Sequence, residues 1–367
     1  MGTVTGGARS RMSGQAPRAV QEVLAAAIAA RVTPGGVVAV GTGAAPAYTV
    51  TLGRVTYAAD AAPVELATIY DLASLTKVIA TTTLALGAEA SGRLPLAARV
   101  ASRLGGLSTH DTITVQDLLE HTAGFPAHHP YYRAVAGPAG YLAQIAAQPA
   151  AYPARTTHVY TDVGFIVLGV LLEAALEQRL STQFDRFVAE VIPGAEIAFD
   201  VRPAWRQRIA PTGVDLWRGR VMAGQVHDSN AAALGGVAGH AGLFGTAAAV
   251  GSFARWWLGL LRGTANSSHG IPAALASRAV TRGAVPGSSR GLGWDTMLPT
   301  SSCGARMSPR AFGHTGYTGT SLWIDPERDL YVVCLTNRVH ASDDTDGIRR
   351  LRVALHDAVV DAWDADR

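Results

Sequence analysis

Apolar segments near the two termini of the chain are short and rich in β-branched residues. Residues 35–43 (GGVVAVGTG) and 47–58 (AYTVTLGRVTYA) are joined by a Gly/Ala/Pro turn, so we expect two strands there. Residues 316–324 (GYTGTSLWI) and 330–338 (LYVVCLTNR) flank the turn sequence DPERD, which predicts an antiparallel hairpin. The sheet of this protein is therefore expected to contain strands from both ends of the chain.

The apolar positions between these strands recur with a helical period. Residues 74–90 form one predicted helix, and residues 162–180 (DVGFIVLGVLLEAALEQRL) form another, with apolar positions at i, i+3 and i+4. The segment TITVQDLLEHTAGFP, residues 112–126, predicts a third, short helix that Gly124 and Pro126 stop, and residues 346–363 form an amphipathic helix at the C-terminus. The middle of the chain is thus predicted to be mostly helical.

Together these elements predict an α+β fold with two lobes. An α/β lobe with an antiparallel sheet flanked by helices is expected from residues 17–94 and 286–367, with an all-α lobe, residues 95–285, inserted. Residues 1–16 are rich in Gly, Ser and Arg and are expected to form a disordered tail.

Composition excludes several classes of function. The chain of 367 residues is 48% apolar and 16% charged, which is a globular composition. Its net charge of +3 comes with scattered arginines and no basic run, so we expect no nucleic-acid partner. No stretch reaches 18 apolar residues and no signal-peptide cleavage site is clear, so we expect no membrane span and a cytoplasmic protein. The oligomeric state stays open.

The sequence also predicts neither a cofactor nor a metal ion. The segment GTGAAP (residues 41–46) lacks the third glycine and the acidic partner of a dinucleotide fingerprint. The histidines at positions 110, 121, 128 and 129 lie around a Pro/Gly loop without the spacing of a zinc site.

Lys77 is the one lysine in a chain with 31 Lys plus Arg residues. It lies three positions after Ser74 in the predicted helix 74–90, so the two side chains share a helix face. Ser74 is predicted in the first turn, where free backbone N–H groups favour an oxyanion. Because burial can lower the pKa of a lysine whereas an arginine stays protonated, the pattern predicts an amine that gives up its proton.

Two further motifs extend the Ser74-x-x-Lys77 pattern. Tyr160-Thr161-Asp162 precedes the helix 162–180, and His314-Thr315-Gly316 enters the C-terminal hairpin. With these three motifs in this order, the chain resembles the serine β-lactamase and penicillin-binding-protein superfamily over roughly residues 20 to 365. It is most similar to class C β-lactamase-type serine hydrolases, which include esterases and D-amino-acid peptidases. The resemblance implies a β-lactamase/transpeptidase-like fold with its active site between the lobes.

The resemblance also implies roles for individual residues. Ser74 would be the nucleophile that forms an acyl-enzyme, with Lys77 and Tyr160 as a coupled base. The backbone N–H groups of Ser74 and Tyr317 would form the oxyanion hole. Asp162 and the third motif, His314, Thr315 and Gly316, would contact the substrate.

Two positions depart from the pattern of that superfamily. Asp162 replaces the usual asparagine; it either pairs with Lys77 and keeps it charged, or merely caps the helix that follows. His314 replaces the usual lysine, and a neutral imidazole anchors a substrate carboxylate less well than an ammonium. We therefore expect esters or small amides to be better substrates than β-lactams.

The sequence accordingly predicts a serine hydrolase that acts on small ester, amide or short-peptide substrates. One alternative is a β-lactamase or D,D-carboxypeptidase, and another is a module that binds a peptide or muropeptide without cleaving it. His227, Asp228 and His240 lie in a Gly-rich segment that resembles one common in this subgroup, and structural roles are favoured for them.

Overall fold

The computed structural model describes residues 3–6, 15–265, 270–340 and 344–366. The strands are β1 Thr3–Gly6, β2 Gly35–Gly41, β3 Pro46–Gly53, β4 Tyr70–Asp71, β5 Ile197–Ala198, β6 Val214–Asp215, β7 Arg220–Val221, β8 Phe244–Gly245, β9 Asp295–Thr296, β10 Phe312–Thr315, β11 Ser321–Asp325 and β12 Leu330–Thr336. The α-helices are α1 Gln15–Ala29, α2 Thr83–Ala90, α3 Val115–Leu119, α4 Gly137–Ala147, α5 Asp162–Leu176, α6 Leu180–Val191, α7 Ser229–Ala233, α8 Ala247–Leu261, α9 Ala273–Ala279 and α10 Thr345–Ala365. Lys77–Thr82 form a π-helical turn, and 3₁₀ turns cover Val100–Ser102, Gly105–His110, Tyr131–Arg133, Pro203–Arg208 and Arg338–His340.

The main sheet is antiparallel and joins both ends of the chain, as predicted. Its strand order is β1-β3-β2-β12-β11-β10-β9, so the N-terminal pair β2–β3 lies against the C-terminal hairpin β11–β12. The predicted strands and the DPERD turn are confirmed. This order places the end of β10 near the outer edge of the sheet, beside the short strand β9.

Two apolar cores lie on opposite faces of this sheet. Alternate residues of the central strands belong to different cores: Val333 and Leu335 face one core, whereas Val332 and Cys334 face the other. Helices α1 and α10 pack together over the second face, and α8 covers the first. Because both faces are covered, β2 and β12 are buried along their whole length, which explains their nearly continuous apolar sequences.

The helical part of the chain surrounds the segment that begins at Lys77. The π-helical turn and α2 share one apolar core with α3, α5 and α9. Helix α5 contacts both the π-helical turn and α2. Every residue from Lys77 to Leu86 is buried. This segment is therefore the centre of the helical layer, and its N-terminal end points to the junction with the sheet.

Two details differ from the sequence-based expectations. Within the predicted disordered tail 1–16, Thr3–Gly6 form an edge strand, because their backbone pairs antiparallel with β3, and helix α1 already begins at Gln15; residues 1–2 and 7–14 lie outside the described residues. Contacts also cross the predicted lobe boundaries, since α2 packs with the helices of the middle and α8 packs on the sheet. The division at residues 94 and 285 stays a prediction.

Candidate active site

Ser74 lies in a tight turn between the short strand β4 and the π-helical turn. Ala73, directly before it, has a positive φ of 47°, a conformation that is uncommon for any residue except glycine. The turn is bound to the loop after β10, because Thr318 Oγ1 donates to the Asp71 carbonyl oxygen at 2.8 Å. Thr320 Oγ1 likewise donates to the Leu72 carbonyl oxygen at 3.1 Å. These bonds hold the serine beside the third predicted motif.

Lys77 is fully buried and its ammonium reaches three oxygen atoms. Lys77 Nζ donates to Ser74 Oγ at 2.9 Å, to Asp162 Oδ1 at 2.7 Å and to the His240 carbonyl oxygen at 3.2 Å. The ammonium also lies 4.9 Å from the centroid of the Tyr160 ring. The π-helical turn begins at this lysine, and such turns occur frequently at functional sites.

Asp162 pairs with Lys77 and does not cap its helix. The cap of α5 is Thr161, whose Oγ1 accepts from the Val163 N–H at 3.1 Å. Asp162 occupies the first helical position, and its carboxylate turns towards Lys77, with His128 Nδ1 at 3.7 Å from the other oxygen. The capping alternative is therefore wrong and the pairing alternative is correct.

This ion pair determines the charge of the lysine. Burial alone would lower the pKa of Lys77, but the Asp162 carboxylate and Tyr160 outweigh burial and raise that pKa. Burial alone would also raise the pKa of Asp162, but the Lys77 ammonium and His128 hold it far below its usual value. The expectation of a lowered lysine pKa is thus wrong for the free protein, because a carboxylate lies in contact with the amine.

Tyr160 lies at the centre of the cleft, surrounded by rings and by a guanidinium. Its ring centroid is 4.8 Å from that of His121 and 5.6 Å from that of His314. Arg290 Cζ lies 4.9 Å from the Tyr160 ring centroid. Burial, followed by the charges of Arg290 and Lys77, lowers the pKa of both histidines well below its usual value, so both imidazoles are neutral.

His314 and Thr315 end strand β10, and Gly316 follows where the backbone turns towards Ser74. His314 Nδ1 lies 2.8 Å from the Thr315 carbonyl oxygen. A Cβ added at Gly316 would lie 2.7 Å from the Leu72 carbonyl oxygen, so only glycine allows this close approach. Tyr317 comes next, half-exposed at the cleft, and its carbonyl oxygen accepts from Arg338 Nε at 2.9 Å.

The Gly-rich segment 236–243 is inserted between α5 and the helix that starts at Lys77. Gly239 packs against α5, where an added Cβ would collide with the Phe165 carbonyl oxygen. The next residue, His240, presents its carbonyl oxygen to Lys77 and its Nε2 to Asp228 Oδ1 at 2.8 Å. His240 and Asp228 therefore support the lysine through the His240 carbonyl oxygen, whereas the backbone N–H of His227 donates to Asp71 Oδ2 at 2.7 Å.

A cleft of about 1080 Å³ joins these groups. All the predicted site residues except the buried Lys77 line it: Ser74, Tyr160, Asp162, His314, Thr315, Gly316 and Tyr317. An oxygen nucleophile in contact with a cation, at the edge of an open cleft, can carry out acyl transfer.

Four arginines line the cleft, and sequence reasoning missed all of them: Arg133, Arg290, Arg338 and Arg352. Arg290 follows the segment PGSS, which carries no recognisable motif. Arg352 could have been found, because it interrupts the apolar stripe of α10 between Ile348 and Leu355. Its Nη2 donates to the carbonyl oxygens of Gly316 and Thr320, each at 2.8 Å, and so supports the strand beside Ser74.

Known proteins resemble the chain in sequence and in fold. A family model described as Beta-lactamase matches residues 20–356. A protein of Escherichia coli (strain K12), provisionally named as a D-alanyl-D-alanine carboxypeptidase, is 33% identical over 309 residues, which cover 75% of this chain and 70% of that protein.

Two solved structures share the fold. The structure titled "EstCE1, a hydrolase with promiscuous acyltransferase activity" has a TM-score of 0.75 at 20% identity, covering 94% of this chain and 98% of its own. A "Beta-Lactamase/D-Alanine Carboxypeptidase from Pseudomonas syringae" has a TM-score of 0.74 at 18% identity, covering 93% and 98%. Among the described residues, no helix is long and apolar enough to cross a membrane.

Proposed function

The chain belongs to the Beta-lactamase family and is a serine hydrolase, and from that premise we propose that it cleaves ester or peptide-like amide substrates through an acyl-enzyme on Ser74. The observation that carries the assignment to Ser74 is its contact with Lys77: the hydroxyl oxygen lies 2.9 Å from an amine that is fully buried. A lone serine hydroxyl is a weak nucleophile, and a positioned partner that accepts or redirects its proton activates it.

The first step forms a bond between Ser74 Oγ and the substrate carbonyl carbon. The hydroxyl proton passes to the pair Lys77–Tyr160, which must have lost one proton beforehand. Since Asp162 keeps Lys77 charged in the free enzyme, the active form of the pair holds one proton shared between the amine and the phenol oxygen. The pair then returns the proton to the leaving alcohol or amine as the carbonyl–heteroatom bond breaks.

The negative charge that develops on the carbonyl oxygen is bound by the backbone N–H groups of Ser74 and Tyr317. Three side-chain bonds support this position: those from Thr318 and Thr320 to the turn before Ser74, and that from Arg352 to the Gly316 carbonyl. Removing one preorganised oxyanion donor typically costs about 3–4 kcal/mol of transition-state stabilisation. Water then repeats the sequence on the acyl-enzyme and releases the acid.

The neutral state of His314 favours esters and small amides over β-lactams. Family members usually place a lysine at this position, and a neutral imidazole cannot itself form an ion pair with a substrate carboxylate. We expect slow nitrocefin turnover relative to p-nitrophenyl acetate; nitrocefin hydrolysis at the rate of a dedicated β-lactamase would contradict this preference.

The test of the main proposal is ester hydrolysis combined with trapping. The wild type should hydrolyse p-nitrophenyl acetate, Ser74→Ala should be silent, and intact-protein mass spectrometry should show one acetyl group on the wild type alone. An equally active Ser74→Ala variant would refute the assignment of the nucleophile. A stable stoichiometric adduct without turnover would favour the binding module over the hydrolase.

A second candidate, a D,D-carboxypeptidase, is favoured by Arg290. In the described part of the structure its Nε and Nη1 have no hydrogen-bond partner, and Nη2 is 3.9 Å from Asp295 Oδ2. The guanidinium lines the cleft beside Tyr160, so its charge can attract the terminal carboxylate of a peptide bound there. The name of the Escherichia coli relative is consistent with such a substrate.

This candidate is tested by the ratio of kcat/KM for two substrates, because a general loss of activity lowers both values equally and leaves their ratio unchanged. An acylated D-Ala-D-Ala peptide and its C-terminal amide are compared in the wild type and in Arg290→Ala. A hydrogen bond to a charged group contributes about 1.5–3 kcal/mol, so the acid-to-amide preference in kcat/KM should fall by roughly 10- to 150-fold. An unchanged ratio would remove Arg290 from carboxylate recognition.

A further inference from the structure

The large apolar side chains that the protein exposes to solvent are concentrated at one place. Six such side chains are exposed among the described residues: Leu66, Val214, Leu216, Trp217, Val221 and Tyr317. Four of them, Val214, Leu216, Trp217 and Tyr317, line the cleft that contains Ser74. Contiguous exposed apolar groups of this kind usually mark a binding surface.

Three of these four belong to the β6–β7 hairpin, residues 214–221. Leu216 is 95% exposed and Trp217 is 48% exposed at its tip. Turn positions normally carry Gly, Asn, Asp, Ser or Pro, for reasons of backbone conformation and local hydrogen bonding. Leu and Trp at the tip contribute nothing to the apolar cores of the fold, so their presence there requires another reason.

The hairpin is held in a fixed position by polar contacts at its base. Asp215 Oδ2 accepts from Arg218 Nη2 and from Ser229 Oγ, each at 2.9 Å. Arg218 in turn donates to the carbonyl oxygens of Val226 at 2.8 Å and His227 at 2.7 Å. The tip therefore projects from a rigid base and keeps its place over the cleft.

Aromatic rings on both sides continue this apolar surface. The Tyr132 ring centroid lies 5.1 Å from that of Trp217, and the Tyr132 N–H donates to Asn230 Oδ1 at 3.1 Å. The Tyr317 ring is stacked on His227, with centroids 5.9 Å apart. The apolar side chains of the hairpin and these two rings thus form one wall of the cleft.

We propose that this wall, which we call the hairpin wall (Val214, Leu216, Trp217, Tyr132 and Tyr317), is a substrate subsite for a large apolar group, aliphatic or aromatic, on the acyl part of the substrate. The inference rests on the proposed hydrolase function. The cationic Arg290 lies beside Tyr160 and suits a leaving group that carries a carboxylate. We therefore assign the hairpin wall to the acyl part of the substrate.

The expected effect can be estimated from the burial of methylene groups. Each buried CH₂ contributes about 0.8 kcal/mol, which corresponds to roughly a fourfold increase in kcat/KM. In a p-nitrophenyl ester series from acetate through butyrate to hexanoate the leaving group is constant. Wild-type kcat/KM should therefore rise at least tenfold from acetate to hexanoate, and p-nitrophenyl phenylacetate should also be preferred to acetate.

The variants are Leu216→Ser and Trp217→Ser, singly and combined, with Leu66→Ser as the matched control. Leu66 is 43% exposed and does not line the cleft, so its loss removes the same kind of side chain elsewhere. The combined variant should lose most of the hexanoate-to-acetate preference while its acetate rate stays near that of the wild type. The Leu66→Ser control should keep the full preference.

The outcomes separate this inference from the proposed function. If the chain-length preference survives in the combined variant, the hairpin wall is not an acyl subsite. If the combined variant instead changes the sedimentation coefficient of an associating wild type, the hairpin joins two copies and the proposal is overturned. If the wild type hydrolyses no ester, binding of hexanoate is measured by saturation-transfer NMR. A wild-type signal that disappears in the combined variant supports the subsite without the hydrolase function. A signal that is unchanged in the variant, or absent from the wild type, rejects the subsite as well as the hydrolase function.

Discussion

The substitution Asp162→Asn tests how the proton of the Lys77–Tyr160 pair is controlled. It is nearly isosteric, so it removes one negative charge and leaves the shape of the site intact. In the wild type the carboxylate oxygen lies 2.7 Å from an ammonium that is 0% exposed, while the Asp162 side chain is 20% exposed. The asparagine can still present an oxygen to Lys77, but it cannot neutralise the charge.

The magnitude follows from the burial of the lysine. Leaving a buried charge without its partner typically costs about 3–5 kcal/mol, and one pH unit corresponds to about 1.4 kcal/mol. Partial exposure of Asp162 and the remaining amide dipole reduce this effect, so we expect a shift of at least roughly one pH unit. The carboxylate favours the protonated pair, so its removal makes the pair lose its proton at lower pH. The ascending limb of the kcat/KM profile should therefore move to lower pH, whichever of Lys77 and Tyr160 carries the shared proton.

The assay is p-nitrophenyl acetate hydrolysis measured from pH 5 to about 10 and corrected for the background rate. Asp60→Asn, which removes an exposed carboxylate away from the cleft, controls for net charge. His128→Gln controls for the half-exposed imidazole that lies 3.7 Å from Asp162. A folded Asp162→Asn enzyme whose ascending limb coincides with that of the wild type would refute the electrostatic role of Asp162.

Three further predictions concern the groups around the pair. Asp228→Asn should lower kcat about tenfold with little change in KM, because it weakens a charge-assisted bond that fixes the His240 segment; steady-state kinetics checks this. Gly239→Ala should lower the free energy of unfolding by about 1–3 kcal/mol in urea titrations, because the added methyl group collides with a carbonyl oxygen of α5. Arg290→Ala should raise the pKa of the His314 imidazole, which the guanidinium now lowers, and an NMR titration that shows no change would contradict this.

The sheet could be predicted from the sequence because its strands carry local signals. Residues 35–43 and 330–338 are β-branched segments bounded by turn residues, and both became central strands. The edge strand Thr3–Gly6 was missed although Thr3, Val4 and Thr5 are β-branched, because the segment is only four residues long and its pairing with β3 depends on the finished sheet.

The side chains proposed for catalysis could be singled out from the sequence because their spacing is local or belongs to short motifs. The i, i+3 relation of Ser74 and Lys77 survives in the structure even though the first turn is π-helical instead of α-helical. The charge of Lys77 could not be predicted with the same ease, because Asp162 contacts it from 85 positions away. Arg290 was missed for the same reason: tertiary structure alone places it beside Tyr160.

The distribution of cations in the cleft also explains the single lysine. Arg290 and Arg352 supply positive charge at neutral pH, where even burial, which lowers the pKa of Arg352 to about 10, leaves that guanidinium protonated; each can therefore bind an anion or a carbonyl oxygen there. Lys77 is the cation in contact with Ser74. In the proposed acyl transfer, the Lys77–Tyr160 pair accepts and returns a proton twice in each cycle. Lys77→Arg would keep the ion pair with Asp162 and remove the amine that can exchange its proton. The predicted result is a folded protein that binds substrate and does not form the acyl-enzyme, and acetylation of Ser74 at the wild-type rate in that variant would show that Lys77 contributes only charge.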